Sequence, residues 1–293
     1  MQQQNTICDF SNSDSWVILS SIEQSIKRKI EAVGTPLKDW DIQINYGIKT
    51  GFNDAFIIST EKREEILANC QTEDERKRTA ELIRPILRGR DIKRYGYVDN
   101  GLFLINTHNG IRGKLPRINI NDYPAVKAHL DLFWDRISTR ADKGDTPYNL
   151  RNCAYLEDFS QPKIIWKRIG SILRFSYDNR GCLGLDSTCF AAGEHIEYLC
   201  CVLNSLMGHY LLKDSPKTGT GDLLVSVQAI EPARVPYETK YDGRLSDLLY
   251  RQIREGSAAT EKEINDIVFS MYGLSPSERE YVTLYVKQSQ QSQ

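Results

Sequence analysis

Tyr46-Gly-Ile-Lys-Thr-Gly-Phe-Asn-Asp-Ala-Phe56 is the stretch from which this chain is best read. Just before it, Trp40-Asp-Ile-Gln-Ile-Asn-Tyr46 alternates apolar and polar residues, the two-residue period of a half-buried strand. Just after, Ala55-Phe-Ile-Ile58 is predicted as a second strand. Gly47 and Gly51 bound a tight turn between them, where glycine permits a positive φ or a close backbone approach. Lys49 and Thr50 are then expected at an exposed tip. The turn resembles a phosphate loop only superficially, because the GxxxxGK[ST] spacing that cradles phosphate on backbone amides is missing.

Working outward, Ile22, Ile26 and Ile30 recur on one face of a helix predicted over 20–32, which Gly34-Thr-Pro36 ends. Thr72-Glu-Asp-Glu75 reads as a capping box opening a helix to about residue 83, limited by Pro85. A strand is predicted over 102–105, a loop over 106–120, and a helix over 122–140 opened by Pro124. An irregular stretch over 142–162 follows. Strands are expected over 163–167, 172–177 and 182–190, then a long apolar helix over 194–212 and a last strand over 223–227. Thr260-Glu-Lys-Glu263 and Ser275-Pro-Ser-Glu278 read as capping boxes of C-terminal helices. The polar tail from Gln288 to Gln293 is expected to fray. The pattern is α+β: a strand-rich middle over 41–235, a helical lead-in over 1–40 and a helical segment over 236–293.

With 293 residues, 40% hydrophobic and 26% charged, the composition is that of an ordinary globular protein with a sizeable core. No apolar run approaches the roughly 18–20 residues of a membrane span. The start, Met-Gln-Gln-Gln-Asn, lacks the basic and apolar parts of an export signal. Seven cysteines, including Cys8 and the adjacent Cys200-Cys201, show no zinc spacing and suit reduced thiols in a cytoplasm.

A net charge of −1 gives no global attraction to nucleic acid, but charge is segregated. Between residues 84 and 117 stand eight basic residues (Arg84, Arg88, Arg90, Lys93, Arg94, Arg112, Lys114, Arg117) against Asp91 and Asp99. Between 161 and 180 stand Lys163, Lys167, Arg168, Arg174 and Arg180 against Asp178. A basic face on a neutral protein is enough to meet phosphate.

Motifs of catalysis are absent. There is no GxGxxG, HExxH or GxSxG, and His108, His129, His195 and His209 are scattered. Neither an Asn-Pro-Pro-Tyr tetrapeptide, used by adenine methyltransferases, nor a PD…(D/E)xK nuclease arrangement occurs. Asp186 with Glu194 would be the carboxylates of an unrecognised metal-dependent nuclease, the runner-up to a binding module. A subunit that binds only protein is the third possibility.

Four separated segments resemble the C-terminal specificity domain of TaqI-type and type IIG restriction-modification enzymes, including related phage-defence methyltransferases of BREX systems. They are residues 34–56, Ile83-Arg-Pro-Ile-Leu-Arg-Gly-Arg-Asp-Ile-Lys-Arg-Tyr95, the stretch 198–205 ending in Leu203-Asn-Ser205, and 261–274 ending in Tyr272-Gly-Leu274. The first two are specific; the others are weak alone. The resemblance implies a target-recognition domain for double-stranded DNA, with a methyltransferase or endonuclease region in cis or in trans. The Gln-rich start favours a piece of a longer enzyme over a separate subunit. No cofactor is expected in this chain; S-adenosylmethionine and Mg2+ would belong to the parent enzyme.

On this reading Lys49, Thr50, Arg88, Arg90, Lys93, Arg94, Arg112, Lys114, Lys167 and Arg168 are the candidate DNA-binding residues, with no catalytic or metal-binding residue. Phosphate anchoring is expected at Arg88-Gly-Arg90, where the glycine lets the backbone come close. Base readout is expected from loops 106–117, 142–152 and 163–168. Asn204 and Ser205 are expected to make structural hydrogen bonds.

Overall fold

The computed structural model describes residues 19–291. Cys8, the first eighteen residues of the lead-in and the last two of the tail lie outside the described residues.

Ser20 caps helix α1 (Ser21–Val33) by exchanging bonds with Glu23. Strands β1 (Thr35–Pro36) and β2 (Ile42–Tyr46) follow, then a helical turn α2 (Asn53–Phe56), β3 (Ile57–Ser59), α3 (Thr60–Ala68) and α4 (Glu73–Leu82). After β4 (Ile83–Leu87) and β5 (Leu102–Ile105) come α5 (Pro124–Asp131) and α6 (Trp134–Ile137). Strands β6 (Lys163–Lys167), β7 (Ile169–Gly170), β8 (Phe175–Asp178), β9 (Leu183–Gly184) and β10 (Thr188–Gly193) precede α7 (Ile196–Asn204) and α8 (Leu206–Leu211). The chain continues through β11 (Leu223–Leu224), α9 (Val227–Ile230), β12 (Arg234–Val235) and the helices α10 (Thr239–Glu255), α11 (Ala258–Met271) and α12 (Pro276–Gln291).

The architecture is α+β. One antiparallel sheet has the order β2-β10-β6-β8; a second, β3-β5-β4-β9, has a parallel pair at its β4-β9 edge. The first sheet is buried on both faces, and its period of two divides it between two cores. Ile164 and Trp166 of β6, with Cys189 and Ala191 of β10, face a core closed by α1, α7, α8 and the C-terminal helices. Ile165, Phe190 and Ala192 face the other, shared with the second sheet and α2 to α6. The first core runs across residues 40 and 235: Ile26 and Leu37 meet Leu245 and Val268 in it, and β1 pairs with β12.

Several elements differ from the sequence reading, each for a tertiary reason. Ala55 and Phe56 are both fully buried in a helical turn rather than alternating in a strand, and only Ile57–Ser59 is extended. Pro85 stands beyond the end of α4, as expected, and is itself inside β4. It is tolerated there because β4 changes partner at that point, pairing through Ile83–Pro85 with β5 and through Ile86–Leu87 with β9. The helix expected over 122–140 breaks after Asp131 into α5 and α6. The segment 182–190 is two strands in different sheets. The helix expected over 194–212 is broken at Ser205, whose backbone is extended and whose hydroxyl caps α8 through Gly208 N. Asn204, fully buried, spends its amide on the backbone N–H and carbonyl of Phe175, so both residues are structural as expected. Ser257, not Thr260, caps α11, and the amphipathic helix α10 falls within the segment 236–293 expected to be helical, although its bounds were not predicted. The Ser275–Glu278 box is present.

Among the described residues all six cysteines are free, and four are buried. Burial pushes the thiols of Cys153 and Cys189 up to about 12 and that of Cys182 to about 11, away from reactivity.

Candidate nucleic-acid interface

The stretch 46–56 lies where the two sheets meet. β9 belongs to one sheet and β10 to the other, and the tight turn Leu185-Asp-Ser-Thr188 joins them, closed by Thr188 N donating to the Leu185 carbonyl at 2.8 Å. β2 leaves the first sheet at the same corner. Gly47 N donates to Thr188 O, Ile48 N donates to Gly184 O, and Ile48 bridges Leu185 in parallel register. A Cβ on Gly47 would stand 2.0 Å from the Leu185 carbonyl oxygen, so close approach explains that glycine, while a φ of +71° explains Gly51.

The Arg88-Gly-Arg90 tip packs on the third side of the turn. Leu185 N donates to Leu87 O at 2.9 Å and Gly89 N to the Ser187 hydroxyl at 3.1 Å. Arg168 N donates to Ser187 O, and the Lys167 stem lies over Gly89, 2.9 Å from where a Cβ would be. Lys49, Arg90 and Lys167 therefore come from three segments distant in sequence and meet around one turn. All three side chains are exposed and make no hydrogen bond or ion pair with any described residue.

The other candidates separate by their partners. Lys93, Arg112 and Lys114 are exposed and, among the described residues, unpaired. Arg88 is not a free cation: it grips the buried carboxylate of Asp91 through Nε and Nη2 at 3.0 and 2.9 Å, and Asn100 donates to the same carboxylate. That carboxyl is held below its usual range, the bonds and charge of Arg88 outweighing the upward push of burial. Arg94 pairs with Glu261 and donates to the Asn204 carbonyl, tying β4's loop to the C-terminal helices. Thr50 is buried and its hydroxyl bonds Asn53 at 2.5 Å, so of the two expected tip residues only Lys49 is exposed. Arg168 is half-buried, with an Nε that finds no acceptor. Arg84 and Arg117 are likewise bonded internally, to Gly181 O and Asp145.

Loops 106–120 and 142–154 form one platform beside this corner. Thr107 exchanges bonds with Tyr148 O and Leu150 N, Asn149 donates to Ile118 O at 2.9 Å, and Asn109 bonds both the backbone and carboxylate of Asp145. Together they wall a groove of about 690 Å³ with Arg112 and Lys114 on its rim. Beneath lies Arg140, buried, its guanidinium donating to the carbonyls of Thr50, Asp142, Pro147 and Asn149. Its place at a helix end gave the sequence no sign of that role.

Lys163, within the readout stretch 163–168, faces inward. It is fully buried and ion-paired with Asp178 at 2.5 Å. Tyr97 and the backbone of Cys182 also bond that carboxylate. Trp166 is core, and Lys167 points out, as expected. Asp186 and Glu194 stand beyond opposite ends of β10, roughly 20 Å or more apart at strand rise. They cannot share a metal, so the nuclease built on them has no site. No group of three or more His, Cys, Asp or Glu among the described residues could hold a metal ion. His108, His129 and His209 are all held neutral by burial, His209 down to about 4. No helix among the described residues is long and apolar enough to cross a membrane.

Residues 84–226, just under half of the chain, match the TaqI-like C-terminal specificity domain. Among solved structures, the chain is similar to the type IIL restriction-modification enzyme MmeI, determined in complex with DNA. The TM-score is 0.60 at 10% identity, over 89% of this chain and 37% of that one. The type IIG restriction endonuclease BpuSI gives a TM-score of 0.43 at 12% identity, over 89% of this chain and 33% of that one. The chain thus spans about a third of the length of these enzymes, and the likeness to MmeI, at such identity, is one of fold. No curated protein matches.

Proposed function

This chain carries a TaqI-like C-terminal specificity domain over residues 84–226, and we propose that it recognises a short double-stranded DNA sequence on behalf of a restriction-modification enzyme of the type IIG kind. The observation that carries the reading is the meeting of Lys49, Arg90 and Lys167, exposed and unpaired, around the turn 185–188. Unpaired surface cations gathered from remote segments suit phosphate, which needs charge and reach but no fixed partner geometry. Lys93, Arg112 and Lys114 extend the same property along the strand-rich middle.

Base reading falls to the platform of loops 106–120 and 142–154. Its backbone is cross-linked by buried polar bonds, while Arg112 and Lys114 remain free to reach groove edges. The chemistry of the parent enzyme, methyl transfer from S-adenosylmethionine and any Mg2+-dependent cleavage, lies in this reading outside the chain, in cis or in trans. The side chains described offer no donor set for a metal, and no step is assigned to them.

Fluorescence anisotropy of the pure chain against a random-sequence duplex library at rising salt tests the reading. The expected result is binding whose logarithm falls linearly with log salt, by about 0.9 per phosphate contacted, and enrichment of one short motif on repeated selection. Absence of binding at low salt, with the upstream enzyme region also supplied, overturns it.

A further inference from the structure

The corner that gathers the cations also carries one carboxylate that nothing neutralises. Asp186 is the first central residue of the turn Leu185–Thr188, half-exposed, and its carboxylate makes no hydrogen bond or ion pair with any described residue. Lys49 lies beside it: Ile48 bridges Leu185 in parallel register, so the next residues, Lys49 and Asp186, are neighbours across the bridge, yet they form no ion pair. Gly89 is bonded to Ser187, the residue after Asp186, which brings Arg90 and Lys167 to the same turn.

The turn is held on every side, by Leu87 and Gly89, by Gly47 and Ile48, and by Arg168. Its apex therefore fixes the direction in which the Asp186 side chain leaves the backbone. On a surface meant only for phosphate, an unpaired carboxylate is a defect, since it repels the backbone that its neighbours attract. A carboxylate is an acceptor only. In the major groove, the groups that reward an acceptor are the exocyclic amines of cytosine and adenine. Guanine and thymine offer acceptor atoms there and are repelled.

We propose that Asp186 is a specificity-determining residue, its carboxylate accepting a hydrogen bond from the amino group of a cytosine or adenine at one position of the bound duplex. The flanking cations hold the two phosphate backbones while the acid rejects the wrong base, so discrimination comes from repulsion as well as attraction. This rests on the DNA-binding reading above.

The test is parallel selection from a random duplex library by the wild-type chain, Asp186→Asn and Asp186→Ala, followed by sequencing. Both substitutions sit at a half-exposed turn, and circular dichroism checks that each variant is folded. The wild type is expected to enrich cytosine or adenine on one strand at one position. The Ala variant should lose a preference of roughly 5- to 150-fold there, keep the rest of the motif and bind random duplex more tightly. Identical motifs from wild type and Ala variant overturn the assignment of Asp186 while leaving the DNA reading intact. If the preference is present but disappears with EDTA, the carboxylate is holding a cation and the assignment also fails. A wild type that enriches no motif overturns the DNA reading, and this inference with it.

Discussion

Arg140 donates to the carbonyl oxygen of Thr50 and so fastens the turn 47–51 to the loops on the far side of the platform. The same guanidinium lies 4.4 Å over the Phe56 ring and donates to Asp142 O, Pro147 O and Asn149 O at 2.8, 3.0 and 2.6 Å. Burial lowers its pKa to about 10, so it remains charged at neutral pH. A guanidinium serves here because its fork reaches several carbonyls at once, which no neutral side chain of that volume does.

Arg140→Ala should therefore strand buried carbonyl oxygens in two loops and cost about 3 kcal/mol or more. Urea unfolding measures the loss. Hydrogen exchange on the folded variant should speed up over residues 142–152 first, where three of the carbonyls that Arg140 holds lie. A variant as stable as wild type would mean that the carbonyls find water instead.

Arg88 and Arg90 should separate cleanly although two residues apart. Arg88→Ala removes the bidentate partner of a carboxylate that is 2% exposed and should cost about 3 kcal/mol. Arg90→Ala removes an unpaired surface cation and should leave stability within about 0.5 kcal/mol. DNA affinity should fall with Arg90→Ala, with the salt slope shallower by about one. Melting curves and anisotropy titrations at four salt concentrations decide between them; a slope unchanged by Arg90→Ala would remove it from the phosphate contacts.

This pair shows where the sequence was legible and where it was not. The local signals were good: Thr72 with Glu75 and Ser275 with Glu278 mark helix starts because caps are built from residues three apart, and Pro124 opens α5. The β5 and β6 strands coincide with the predicted ranges because one apolar run fills each. A density of basic residues was also visible, but which of them are free depends on acids far away in the chain. Glu261, 167 positions after Arg94 (261 − 94), is what removes Arg94 from the candidate surface. Asp178 removes Lys163, and both are invisible to local pattern. Broken helices escaped for the same reason: α7 ends at Asn204, whose side chain bonds a strand backbone that only the fold brings near.

A pH effect is expected at the junction of the first and last helices. Glu278 accepts from Lys29, Ser25 and the Ser275 backbone at 2.6, 2.7 and 2.7 Å. Burial pushes its carboxyl up, but these bonds win and bring it down to about 2. A folded-state pKa below the unfolded value gives stability that is complete above the unfolded pKa of about 4.5 and lost as pH falls toward 2. Unfolding midpoints should thus decline between pH 4.5 and 2, and the Glu278→Gln variant should lack that part of the decline while being less stable at pH 7. Parallel curves for the two proteins would show that the interaction is not pH-linked.

Gly47 and Gly243 test whether close approach, rather than glycine itself, makes the corner. At Gly47 a methyl group would have to displace the Leu185 carbonyl, which is backbone and holds the turn bearing Asp186. Gly47→Ala should cost at least about 3 kcal/mol, and Asp186 should lose its fixed direction, so a surviving fold would bind DNA with a blurred motif. Gly243 lies within α10 with nothing within 4 Å of its would-be Cβ, and Gly243→Ala should stabilise by about 0.5–1 kcal/mol through the reduced freedom of the unfolded chain. Chemical denaturation of the two variants side by side reads both signs. If Gly47→Ala proved as harmless as Gly243→Ala, the strand crossing at the corner would have to be looser than its hydrogen bonds require, and the fixed presentation of Lys49 and Asp186 would lose its physical basis.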